Sequence, residues 1–207
     1  MDLAERIAGV PVVRARHAAS LILVRRDSTG PSVLMGMRGA KHRFMPNRLV
    51  FPGGAVDPAD LKAPAASELR DTTRRLLERR TRPALARGLA TAAARELEEE
   101  TGLTLGTPPA LDGLDFVCRA CTPPGQPMRF NARFLAVDAE RVSGTLAGSG
   151  ELEGLRWFGV GEALELDLAW VTHGVLTHLR DYLAMSPAER DARTRTPVAL
   201  KKSWKTE

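Results

Sequence analysis

Arg95-Glu96-Leu97-Glu98-Glu99-Glu100-Thr101-Gly102-Leu103 is the stretch on which the reading of this chain turns. It ends an Ala-rich segment of helical composition. Gly102 is a natural stop there, because glycine adopts the left-handed conformation that closes a helix. At about 100° per residue, Glu96, Glu99 and Glu100 fall on one face. Three carboxylates near the negative end of a helix repel one another and oppose its dipole. Hard divalent cations relieve such crowding, because they take carboxylate oxygens as ligands. Arg95 and Glu98 project elsewhere and can pair with neighbours. A solvated acidic helix end has the same appearance, so the cluster needs a second element.

That element lies upstream. Phe51-Pro52-Gly53-Gly54-Ala55-Val56-Asp57-Pro58-Ala59-Asp60 reads as a strand end running into a glycine-rich loop. Paired glycines let the backbone bend tightly and approach a ligand closely. A carbonyl exposed there can join a metal shell, although an ordinary turn would look alike.

Together the two pieces resemble the Nudix box, Gly-x5-Glu-x7-Arg-Glu-U-x-Glu-Glu-x-Gly-U, where U is a bulky aliphatic. Gly54 takes the first position, and residues 95–103 match the second half at every fixed position. Asp60 stands where the first Glu belongs, and 34 residues separate it from Arg95 where the pattern has seven. Long surface excursions cost little closure entropy. The insertion, about 61–90, is therefore expected to leave before the catalytic helix and return at its start, and direct involvement of Asp60 is not expected.

The resemblance implies an α/β fold, a Nudix-type α/β/α sandwich with a mixed sheet and a helical insertion within the box. It implies one domain over residues 1–207, with its core at about 18–184. It implies Mg²⁺ or Mn²⁺ held by Glu96, Glu99, Glu100 and the Gly54 carbonyl. Glu96 or Glu99 would be the general base, and Arg95 would orient a glutamate. Glu151, six residues before Trp157, is a further ligand candidate from the same resemblance, with Glu153 its competitor.

Composition agrees. A chain of 207 residues with 43% hydrophobic content suffices for one α/β domain with a sizeable core. No apolar run approaches the ~20 residues of a membrane span. Residues 1–16 read as a short polar-apolar leader without an apolar signal core, so a cytoplasmic protein with no membrane partner is expected. Cys118 and Cys121 fall in an expected strand, where positions three apart face opposite sides. Zinc would want four ligands, so these are expected to be inert thiols in a reducing compartment.

Periodicity and turn signals predict strands over Ala18–Arg25, Ser32–Arg38, Leu49–Phe51, Asp115–Ala120, Phe130–Val137 and Leu155–Phe158. They predict helices over 67–80, from Pro83 onward, and over Val171–Ala184. The basic tail, about 187–207, is expected to be frayed.

Residues 34–54 look like the signature that precedes the box in coenzyme A diphosphatases. Leu34, Arg38, Arg43 and Phe51–Gly54 match in register, whereas Met35, Gly36, Gly39 and Asn47 depart. The long insertion is similar to that of the peroxisomal branch of those enzymes. Guanidinium groups bind phosphate bidentately and keep their charge, which makes Arg38 and Arg43 substrate-binding candidates. Arg133 is a third. Arg129 and Arg133 share one strand face, which lines either the cleft or solvent, while Phe130 and Phe134 share the other, expected to be core.

Residues 61–90 carry eight Lys and Arg against three acids, a surplus equal to the whole chain's +5. Such a surface can steer anionic substrates or touch nucleic acid. It holds no aromatic for base stacking, so a small nucleotide is expected rather than nucleic acid. The insertion is expected at the cleft rim or across a homodimer. The function these readings converge on is metal-dependent hydrolysis of a diphosphate bond in a nucleoside diphosphate derivative. Coenzyme A or an acyl-CoA is the leading substrate, giving 3′,5′-ADP and (acyl-)4′-phosphopantetheine. ADP-ribose, nucleotide sugars or capped RNA are alternative substrates, and a non-catalytic nucleotide-sensing domain is the alternative function.

Overall fold

The computed structural model describes residues 13–148 and 150–207. Most of the leader read over residues 1–16 thus lies outside the described residues.

The central strand is β1 (Arg16–Asp27). Its run Leu21-Ile22-Leu23-Val24 is apolar on both faces because both faces are covered. Leu21 and Leu23 join one core cluster, and Ile22 and Val24 join the other. β2 (Gly30–Arg38) returns antiparallel through the turn expected at Asp27, whose carboxylate accepts the Thr29 N–H at 2.9 Å. β3 (Leu49–Val50) and β4 (Gly53–Ala55) follow, β4 pairing antiparallel with β1.

The insertion then supplies α1 (Asp71–Glu78), and α2 (Pro83–Thr101) carries the acidic run. Pro83 occupies the first turn of α2, where a missing N–H costs nothing. Gly102 ends the helix at φ +72°, with its N–H on the Glu98 carbonyl. β5 (Leu103–Thr104), β6 (Asp115–Cys121), β7 (Phe130–Asp138), β8 (Ser143–Gly144) and β9 (Leu152–Gly159) follow. Then come α3 (Val160–Leu164), α4 (Trp170–Ala184), α5 (Pro187–Asp191), β10 (Pro197–Leu200) and β11 (Ser203–Thr206).

Among the described residues the main sheet has nine strands in the order β11-β10-β6-β7-β1-β2-β3, with β4 on β1 and β9 on β2. β1–β7 and β6–β10 are parallel and the other pairs antiparallel, so the sheet is mixed. α2 and α1 cover one face through Leu76, Leu77, Leu89 and Leu97, while α4 covers the other through Val175, Leu176 and Leu179. This is the expected three-layer α/β arrangement. No helix among the described residues is long and apolar enough to cross a membrane.

Two expectations are corrected. The insertion is core rather than rim, since Leu69, Leu76 and Leu77 are buried and Thr73 Oγ1 donates to the Leu114 carbonyl at 2.7 Å. Among the described residues half of its eight cations are ion-paired within the fold, Arg70 to Asp115, Arg74 to Asp71, Arg80 to Glu207 and Arg87 to Glu68. The tail is not frayed. β10 and β11 extend the sheet, and both Glu207 carboxylate oxygens accept from Arg119 at 2.6 Å. The sequence shows the tail's charges but not the partners on β6, Arg119 for Glu207 and the Phe116 and Val117 carbonyls for Arg193.

Candidate active site

The glycine loop and α2 meet at very short range. The Gly53 N–H donates to Glu100 Oε2 at 2.7 Å. A Cβ on Gly53 would lie 2.5 Å from the Ala19 carbonyl oxygen and from Ser20. A Cβ on Gly54 would overlap the Glu96 carboxylate. Both glycines are therefore required by close approach: one lets β4 lie on β1, and the other lets a carboxylate rest against the backbone.

Arg95 joins the two halves of the constellation. Its Nε and Nη2 donate to Asp60 Oδ1 and Oδ2, each at 3.0 Å, and Nη2 also reaches the Ala55 carbonyl at 3.1 Å. Its Nη1 donates to Glu96 Oε1 and to Glu99 Oε2, each at 2.9 Å. Asp60 is itself fixed, because Oδ2 accepts the Asp57 N–H at 2.8 Å and its carbonyl accepts from Thr91 Oγ1 at 2.7 Å. Asp60 thus touches the constellation through Arg95 and does not itself line the cleft. It holds Arg95, and the inserted residues leave and return around that contact.

The electrostatics are those of crowded acids. Burial pushes the Glu100 carboxyl up to about 7, against relief from the Gly53 N–H and Arg38 and with further push from Glu96 and Glu151. Burial also raises Glu96, and Glu99 and Glu151 add to it, while Arg95 opposes. The Arg95 guanidinium is held charged more firmly than usual, first by Asp60. Glu99 and Glu151 line the same cleft on its exposed side. Arg38 approaches from β2, with Nη2 3.5 Å from the Gly53 carbonyl and a buried Nε that has no hydrogen-bond partner among the described residues.

These groups form one end of a cleft of about 1030 Å³. Its floor is set by strand register. Ala55 pairs with Ala18, Ala18 with Ala132, Ala132 with Ala120, and Ala120 with Ala199. All five alanines line the cleft. The row crosses β4, β1, β7, β6 and β10, from the acidic end toward the β10–β11 turn. Phe51 and Phe134 stand on one side, edge to face at 6.4 Å, with Trp170. Phe44 and Phe130 stand on the other at 4.9 Å, with Arg16.

Arg38, Gly54, Glu96, Glu99, Glu100 and Glu151 are all brought to the cleft, and Arg95 stands beside it through Glu96 and Glu99. Arg133 is not. It is 1% exposed on the opposite face of β7, where Nη1 donates to the Asn131 carbonyl at 2.8 Å and sits 3.2 Å from His17 Nδ1. Burial, with Arg119 nearby, lowers it to about 10. The two faces of β7 are thus reversed from expectation, with Phe130 and Phe134 facing the cleft and the arginine packed inside. Arg43 is exposed and does not line the cleft; Phe44 and Met45 of the same loop do. Cys118 is buried, which raises its thiol, and Cys121 lines the cleft; neither is bridged. The aromatic walls, the alanine floor and Lys202 at the far end escaped the sequence reading. The period-two spacing of Phe130, Ala132 and Phe134 was the one available signal.

Known proteins of related sequence and fold point to one family. Residues 86–179 match the NUDIX domain family. The match starts inside α2 and does not include Gly54 or Asp60, which meet that helix through Glu96 and Arg95. A Caenorhabditis elegans protein that carries the name nudix hydrolase 7 is 53% identical over 47 residues, 23% of this chain. Those residues span 15% of that protein's length. The solved NUDIX hydrolase of Alicyclobacillus acidocaldarius superposes with a TM-score of 0.58 at 25% identity, covering 79% of this chain and 90% of that one. The NUDIX domain of Shewanella oneidensis NrtR, solved with ADP ribose, gives 0.52 at 16% identity over 89% and 100%. The chain therefore has the fold of the Nudix hydrolases, and its residues 86–179 are a match to the NUDIX domain.

Proposed function

We propose that this chain is a pyrophosphohydrolase that cleaves the diphosphate bond of a nucleoside diphosphate derivative with Mg²⁺ or Mn²⁺, coenzyme A or an acyl-CoA being the leading substrate. The observation that carries this is the packing of Glu96 and Glu100 against Gly53 and Gly54 at the end of a long cleft.

The donor set fits a hard cation. Glu96 and Glu100 are raised by burial, Glu100 further by the charges of Glu96 and Glu151 and Glu96 further by those of Glu99 and Glu151, and Glu99 and Glu151 lie along the same cleft. Among the described residues no three such side chains are gathered closely enough to hold an ion as they stand. Arg95 engages Glu96 and Glu99, and the Gly53 N–H engages Glu100. A bound divalent ion would neutralise phosphoryl charge and acidify the attacking water.

The chain's own groups do the rest. Arg38, beside the Gly53 carbonyl, supplies a fixed charge for phosphate oxygens. Glu96 or Glu99 takes the proton of the water, and Arg95 positions both through one guanidinium. Positioning and charge neutralisation account for most of the rate in chemistry of this type. The two unbridged thiols suit a reducing, cytoplasmic setting.

A panel of coenzyme A, ADP-ribose, a nucleotide sugar and capped RNA, each with Mg²⁺ or Mn²⁺ and with products resolved by chromatography, tests the reading. The expected products from coenzyme A are 3′,5′-ADP and 4′-phosphopantetheine. Cleavage of ADP-ribose with coenzyme A left intact would transfer the same chemistry to another substrate. Binding without turnover of any compound would instead support a nucleotide sensor.

A further inference from the structure

The end of the cleft opposite the carboxylates is basic, and its backbone is held in a costly conformation. β10 and β11 pair with Leu200 opposite Ser203, leaving Lys201 and Lys202 as a two-residue turn. Both lysines have positive φ, +49° and +61°. Turns of this type favour Asn and Gly, and side chains with a Cβ are disfavoured in the left-handed region. Lysines kept at such a position point to a use for their side chains. Lys202 lines the cleft, and among the described residues neither ammonium has a carboxylate within salt-bridge distance.

The alanine row leads to this turn. It spans five adjacent strands, four intervals of about 4.8 Å, so its ends are about 19 Å apart. Methyl side chains make the floor low, and Phe44, Phe130, Phe134 and Trp170 give it apolar sides. A groove with carboxylates and a phosphate-binding arginine at one end, apolar walls along its length and a cation at the other suits an extended molecule. That molecule has its diphosphate at the first end, a flexible and largely uncharged arm in the middle, and an anion at its tip.

We infer that Lys202 is a specificity-determining residue that binds a carboxylate at the end of the substrate's long arm, so that the preferred substrates are diphosphate conjugates whose arm ends in an acid. This rests on the assignment of the glutamate end as the hydrolytic centre. Arg38 lies at the diphosphate end, beside Gly53. Arg16 stands opposite Phe130 in the middle of the sheet. Of the cations among the described residues that line the cleft, Lys202 is thus the one beside the β10–β11 turn, placed to read the tip.

Succinyl-CoA and butyryl-CoA carry four-carbon acyl groups that differ in a terminal carboxylate. The test compares their kcat/KM and their binding to the metal-free protein, followed by tryptophan fluorescence, in the wild type, Lys202→Ala, Lys202→Glu and the control Lys205→Ala. Wild type and Lys205→Ala should favour succinyl-CoA about fivefold, the scale of a partly exposed ion pair. Lys202→Ala should abolish the preference and Lys202→Glu should invert it. Salt should weaken it in the wild type. Equal handling of the two thioesters by the wild type, or a preference that survives both Lys202 variants, overturns the inference and leaves the hydrolytic reading intact. A binding preference without cleavage supports the inference and overturns that reading. If neither thioester binds, both fall together.

Discussion

Asp60 and Arg95 form a two-pronged ion pair, Nε to Oδ1 and Nη2 to Oδ2 at 3.0 Å each, across 34 intervening residues. The Asp60 side chain is 4% exposed and that of Arg95 28%. Removing the acid would leave a half-buried guanidinium whose other partners are the candidate catalytic glutamates. Asp60→Ala is expected to cost about 2–3 kcal/mol in denaturant unfolding, below the 3–5 typical of fully buried pairs because Arg95 is partly solvated. It is also expected to lower kcat more than it raises KM. Asp60→Glu, which restores the charge, should recover part of both. An unchanged kcat in Asp60→Ala would show that Arg95 holds its glutamates unaided.

Glu100 gives the fold a pH dependence of definite sign. Its folded value is about 7, above the ordinary 4.5. A carboxyl raised by folding contributes stability that is fully present below about 4.5 and is lost as the pH rises through about 7. Without metal, Glu100→Gln should therefore melt higher than wild type at pH 8, with the gap closing toward pH 5. The shift corresponds to roughly 3 kcal/mol at most. Turnover of the variant should fall by orders of magnitude. Wild-type turnover at saturating Mg²⁺ would remove Glu100 from the ligand set.

The insertion is expected to be indispensable to folding. Deleting residues 61–82 strips Leu69, Leu76 and Leu77 from the main core, and the product should lack a cooperative melt. Leu76→Ala alone should cost about 2–4 kcal/mol, because a buried leucine leaves a cavity. A shortened protein that unfolds cooperatively would return the insertion to the surface.

Arg38 and Arg43, equivalent in the sequence, should separate in kinetics. Arg38→Ala is expected to raise KM about tenfold, the scale of a charge-assisted phosphate contact. Arg43→Ala, on a side chain outside the cleft, should change KM by less than about twofold. Equal effects would mean that the loop carrying Arg43 closes over the substrate.

What the sequence could reveal was local. Pro83 and Gly102 bracket α2 because both act through backbone geometry within a turn, and the acidic face follows from helical spacing. The sides of β7 could not be read. Phe-x-x-x-Phe and Arg-x-x-x-Arg alternate equally well, and the partners that Arg133 finds on the inner face, the Asn131 carbonyl and His17 on β1, do not show in the spacing. The contact of Asp60 with Arg95 was hidden for a similar reason. Sequence distance suggested separation, while the fold closes the excursion on an ion pair. Lys202 was lost with the tail, whose pairing with β6 involves only two residue pairs, Val198–Arg119 and Ala199–Ala120.

The alanine floor places reaction and recognition under separate control. Ala18, Ala120, Ala132 and Ala199 sit on four strands that contribute none of the glutamates, and each presents a single methyl group to the groove. Enlarging any one of them would shorten or divert the path of the substrate's arm without disturbing Gly53, Gly54 or α2. One hydrolytic centre could thus be refitted to arms of different length by single substitutions.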